Sequence, residues 1–155
     1  MRHASRLAAA VLVAGGLALS ACARSDAGAA SSGGDGPPAT VEAVPGTDAK
    51  KVVLTEPAVT RLGIKTETVA VTAVAEADGR TATMTTVPYS ALLYDTNGDT
   101  WVFQVVAARS YLRKKLDVHV VEGDTVIMRS GPPVAATVVT IGAAVLYGTE
   151  LGTGK

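Results

Sequence analysis

Few side chains in this 155-residue sequence could do chemistry. Beyond residue 3 there is one histidine, His119, and the whole chain has one cysteine, Cys22. Asp117 and His119 stand two apart, so on a strand they share a face and could begin a metal site. No further histidine completes it, and only Glu122 and Asp124 lie near enough in sequence to reinforce it. No metal site is therefore assigned. Ser90 has no neighbouring histidine to activate it as a nucleophile, and the terminal "LGTGK" lacks the spacing and following helix of a phosphate loop. The sequence reads as that of a non-enzyme with no cofactor. What it does offer is surface: a basic run, Arg113-Lys114-Lys115, and an aromatic pair, Tyr94 and Trp101, either side of Asn97-Gly98. Arg113 and Lys115 should share one strand face, with Lys114 on the other beside Leu112 and Leu116. The plainest reading is a solvated edge strand guarded by charge. The alternative is a docking patch made by Arg113, Lys115, Tyr94 and Trp101.

The leader says where such a surface would act. Residues 1–21 begin with Arg2 and Arg6 and continue into an apolar run from Leu7 to Leu19. That run is too short to span a bilayer and suits a signal-peptide core. "LSAC", residues 19–22, resembles the bacterial lipobox, which implies lipidation of Cys22 after cleavage. The chain is expected to be exported and held by lipid at the outer face of the cytoplasmic membrane. Loss of Arg2 and Arg6 with the leader leaves 12 basic against 14 acidic residues, a net of −2. A faintly acidic domain has no electrostatic footprint for nucleic acid. Residues 22–49 are Gly, Ala, Ser and Pro with little to bury, and read as a flexible linker reaching about 25–30 Å.

The elements that must position the surface follow from pattern. Hydrophobic residues make up 48% of the chain but aromatics only 4%, so Ala and Val must build the core. "KKVVLT", residues 50–55, predicts a strand ending at a Thr55 N-cap. "EPAVTRLG" predicts a two-turn helix with Pro57 in its first turn and Gly63 as its stop. "IKTETVAV" alternates as one strand with a single wet flank, and Asp78-Gly79 is a turn candidate. "VPYSALLYDTNGDTWVF", residues 87–103, predicts a hairpin with Asn97-Gly98 as a two-residue type I′ turn, which sets Tyr94 opposite Trp101 and Leu92 opposite Phe103. Residues 111–130 predict a second hairpin turning at Gly123-Asp124. "ATVVTIGAAVLYGTELGTGK" supplies one more strand and a short apolar segment. The sum is an all-β domain over 50–155, a small antiparallel roll or barrel of about six strands with one short helix.

In order, these segments resemble a known family. "VVLTEPAVTRLGIKTETV" is similar to the first segment of the periplasmic adaptor subunits (membrane fusion proteins) of RND-type efflux transporters. "VPYSALLYDTNGDTWVFQVV", "YLRKKLDVHVVEGDTVIMRSG" and "TVVTIGAAVLYGTELG" resemble the C-terminal part of their membrane-proximal domain. The resemblance implies that both ends of the chain assemble into one β-domain docked on an inner-membrane RND or ABC-type transporter, with a homo-oligomer allowed. The family's β-barrel, lipoyl and helical-hairpin domains have no counterpart, since only Thr72–Thr86 joins the two matched regions. The competing expectation is a stand-alone extracytoplasmic binding module for a small ligand or metal ion.

Overall fold

The computed structural model describes residues 36–153. The expected leader, Cys22 and the first part of the linker lie outside these residues. Ten strands and two α-helices follow in the order β1 (Ala39–Ala43), β2 (Lys50–Leu54), α1 (Glu56–Leu62), β3 (Lys65–Thr68), β4 (Ala70–Ala75), β5 (Thr81–Pro88), β6 (Leu93–Tyr94), β7 (Thr100–Ala107), β8 (Ser110–Glu122), β9 (Thr125–Ser130), β10 (Thr137–Ile141) and α2 (Ala143–Leu151). All pairings are antiparallel. The fold is the expected all-β one.

The main path of the sheet runs β3-β10-β7-β8-β9-β5-β4. Its two ends, β3 and β4, are one stretch of chain interrupted only at Val69, so the sheet curls back upon itself as a half-barrel. The interruption has a local cause. The Val69 N–H donates to Ala136 O at 2.8 Å and the Val69 carbonyl accepts from Ala135 N–H at 3.0 Å, while its side chain is buried. The single strand expected over 64–71 is thus two, and β3 is exposed on both flanks, not one.

Apolar residues close both faces of the curl. Inside it, Val69, Val87, Val102, Leu116, Val126, Met128 and Val138 form one core. A second core lies on the other face of β7, β8 and β10, where Val52, Leu54, Phe103, Tyr111 and Val139 meet Ala58 of α1 and Leu146 of α2. Adjacent residues along β7 and β10 serve opposite cores, as the two-residue period of a strand dictates: Val102 and Val138 in one, Phe103 and Val139 in the other.

The local signals at α1 are realised. The Thr55 side chain accepts from Ala58 N–H, Pro57 occupies the first turn and Gly63 closes the helix at φ +59°. Two elements were not expected at all. The expected linker holds a strand, β1, paired with β2 from Ala39↔Leu54 to Ala43↔Lys50. The short apolar segment after β10 is a second helix, α2, whose Ala143, Leu146 and Glu150 face inward. Gly142 starts it at φ +92° against Ile64.

The 87–103 hairpin forms, but its loop has three residues where two were expected. The Asp95 carbonyl accepts from Gly98 N–H (3.1 Å), and the Asp95 N–H donates to Asp99 O (3.0 Å). Gly98 has φ +82°, whereas Asn97 is not among the residues of positive φ. This is a type I turn closed by a left-handed glycine. Asp95 favours it by accepting the N–H groups of Asn97 and Asp99 on Oδ1, at 2.9 Å each. Gly98→Val is expected to cost about 1–2 kcal/mol, whereas Asn97→Ala should cost far less. Thermal melts of the two variants check the assignment, since a type I′ turn would penalise both.

Candidate functional site

The one-residue change in loop length moves the register. Leu93 pairs with Trp101 and Tyr94 with Thr100, so the expected facing of Tyr94 and Trp101 is overturned. Because side chains alternate, a slip of one residue sends Tyr94 to the opposite face of the ladder from Trp101. Tyr94 is exposed there.

Trp101, Arg113 and Lys115 do come together. In the β7–β8 ladder Trp101 is opposite Lys115 and Phe103 opposite Arg113, so all four share a face, while Lys114 lies across from Val102 on the other. The Arg113 guanidinium carbon sits 4.2 Å from the Trp101 ring centroid and 5.3 Å from that of Tyr147 in α2. Its Nε lies 3.0 Å from Oε2 of Glu150 and donates to Oε1 at 3.2 Å. Oε1 also accepts the Lys50 backbone N–H at 2.9 Å. Both side chains of the pair are nearly removed from solvent, with 10% of Arg113 and 2% of Glu150 exposed.

This geometry corrects the plain reading of the basic run. β8 pairs with β2, β7 and β9 and is no edge strand. Arg113 is neither solvated nor free to grip a partner, because a carboxylate and two aromatic rings already enclose it. Lys115 is exposed, 2.9 Å from Asp99 Oδ1 and 5.7 Å from the Trp101 ring. So exposed an ion pair contributes little to stability.

Asp95 ties the loop to this cluster. Its Oδ2 accepts the Trp101 indole N–H at 3.0 Å. Desolvation is the largest influence on its carboxyl and pushes the pKa up. The Trp101 N–H, the N–H groups of Asn97 and Asp99 and the charge of Arg113 together outweigh it, holding the pKa below the usual aspartate value. A lowered folded-state pKa means the loop's contribution is present above the unfolded aspartate pKa and is lost as pH falls through the folded value. Emission from Trp101, the sole tryptophan, should therefore report an acid transition below the ordinary aspartate range. Asp95→Asn should abolish that transition, and an unchanged titration in the variant would contradict the assignment.

Sequence reasoning missed Asp95, Tyr147 and Glu150. A signal existed for the last: in "AAVLYGTEL" Glu150 falls seven residues after Ala143, on the apolar stripe of a helix, where a carboxylate needs a partner.

Elsewhere, a groove of about 580 Å³ lies between Glu67–Ala70, Thr86–Ser90 and Asp124–Thr125, and takes in Ser90 without a histidine. A smaller cleft of about 340 Å³ holds His119 with Glu76, Met84 and Arg129. Arg129 is already engaged by Asp117 Oδ1 (3.3 Å) and the Val118 carbonyl (2.8 Å). Among the described residues no three of His, Cys, Asp and Glu come together as metal ligands would. Nor is any described helix long and apolar enough to cross a membrane. The chain matches no protein-family model and no curated protein.

Proposed function

We propose that this chain is a lipid-anchored extracytoplasmic accessory subunit that docks, in the manner of an adaptor, on an inner-membrane efflux transporter of RND or ABC type. The supporting observation is the interleaving of the two regions that carry the resemblance. The N-terminal segment contributes β2 and β3, which pair with β8 and β10 of the C-terminal segment. Neither segment could cover its apolar residues alone. The β4–β5 hairpin joins them through a tight turn in which Gly79 has φ +82° and Asp78 Oδ1 accepts the Arg80 N–H. In this reading the two regions form a base domain, joined directly by the β4–β5 hairpin. Its exposed Lys115, with Trp101 behind it, is the docking residue of this reading, while Tyr94 stands exposed on the opposite face of the ladder.

The full chain, purified from membranes in mild detergent, is expected to bring with it a polytopic transporter subunit in comparable amount. Recovery of the lipoprotein alone would overturn the proposal. Cys22→Ala should move the protein from the membrane fraction to the soluble one; persistence in the membrane would contradict lipid anchoring. The second reading, a binding module, draws on the His119 cleft, and titration with copper, zinc or silver followed by Trp101 emission tests it.

A further inference from the structure

The open edges of the sheet are not alike. β3 carries Lys65 and Glu67, β1 carries Glu42 paired with Lys51, and β6 has two residues. These are ordinary defences against edge-to-edge pairing. β4 has none: "AVTAVA", residues 70–75, contains no charge and no proline, pairs without a bulge, and has β5 as its sole neighbour among the described strands.

Which backbone groups it leaves open follows from the turn. The Glu76 N–H donates to Arg80 O, so Glu76 and Arg80 form a hydrogen-bonded pair. By the alternation of an antiparallel ladder, Val74 bonds Ala82 and Thr72 bonds Met84. Val71, Ala73 and Ala75 then point both N–H and C=O away from β5. The same edge is used at Val69, which bonds the 135–136 segment, and nothing among the described residues covers it beyond. Three residues present six unused groups.

We propose that this edge pairs with β4 of a second copy of the chain. A two-fold axis perpendicular to the sheet and midway between the two Ala73 residues sets Ala73 opposite Ala73 and Val71 opposite Ala75 of the other copy. All six groups are then satisfied in three hydrogen-bonded pairs, because a symmetric antiparallel pairing is self-complementary. Between them Thr72 lies against Val74 of the other copy. Extended along the flanks, the register places no like charges opposite each other: Glu67 meets Gly79, Lys65 meets Thr81 and Glu76 meets Ala70. Charge therefore permits this match. A five-residue ladder is a small interface, so the dimer is weak and concentration-dependent.

Two measurements on the full chain in detergent test it. Sedimentation should show the mass rising from monomer towards dimer with concentration. Ala73→Pro should stay monomeric with its melting point little changed, since it removes an N–H that faces away from β5. Separately, chains carrying Thr72→Cys and chains carrying Val74→Cys, differently tagged and mixed under mild oxidant, should cross-link to each other. That pair is the closely spaced, non-hydrogen-bonded one, about 4.5 Å between Cα atoms. Each variant alone, and the unaltered chain with Cys22, should cross-link far less. A wild-type chain that stays monomeric, a dimer that survives Ala73→Pro, or mixed cross-linking no greater than the controls would each overturn the proposal. Cross-linking to a different protein in place of a second copy would do so too.

Discussion

Arg113→Met should destabilise the domain by about 3–5 kcal/mol, the usual cost of leaving one member of a buried ion pair without the other. Methionine keeps a flexible apolar stem between Trp101 and Tyr147, so the loss isolates the charge and not the packing. Glu150 would keep only the Lys50 N–H as a partner on Oε1, inside the last turn of α2, where the helix dipole already disfavours an anion. The double variant Arg113→Met, Glu150→Leu is expected to regain most of the loss, since apolar replacement of a whole buried pair is often neutral or better. Urea melts of the two single variants and the double variant form the cycle that decides it. If Arg113→Met alone melts like the parent chain, the pair carries no weight in the fold.

A second large effect is expected at Phe103. It is the single phenylalanine of the chain, fully buried, and it lies in the core shared by β2, β7, β10 and both helices. Truncation to alanine should cost about 3–5 kcal/mol, transfer and cavity terms together. Apart from Tyr111, the buried residues of this core are Val, Leu and Ala, whose short side chains can fill little of the space. The melting point should fall by about 10 °C or more, at roughly 4 °C per kcal/mol for a domain of about 100–150 residues. A fall of only a few degrees would mean that α1 and α2 re-pack freely, contrary to the enclosed core seen here.

The parts of this fold that could be read in the residues are those written locally. Thr55, Pro57 and Gly63 fix α1 within nine residues, and Gly123-Asp124 turns the β8–β9 hairpin where expected, with positive φ at the glycine alone. What could not be read depends on partners far along the chain. β1 lies in a stretch with a linker's composition and becomes a strand because β2 offers an open edge. Arg113 looked like part of a solvated run because the carboxylate that encloses it stands 37 residues later in α2. The Asn97-Gly98 signal named the right turn and the wrong type, since the Asp95 side chain favours the longer loop. That one residue decided that Tyr94 points away from the face of Trp101 and Arg113.

The pairing of β3 with β10 also sets an order of events. Lys65–Thr68 emerges early and waits about 70 residues for Thr137–Ile141, and Glu150 arrives later still. Until β10 and α2 are free, the newborn polypeptide cannot close its curl and must stay open to chaperones and proteases. A product cut off before Thr137 should therefore be cleared, because β10 and α2 are what seal the two cores.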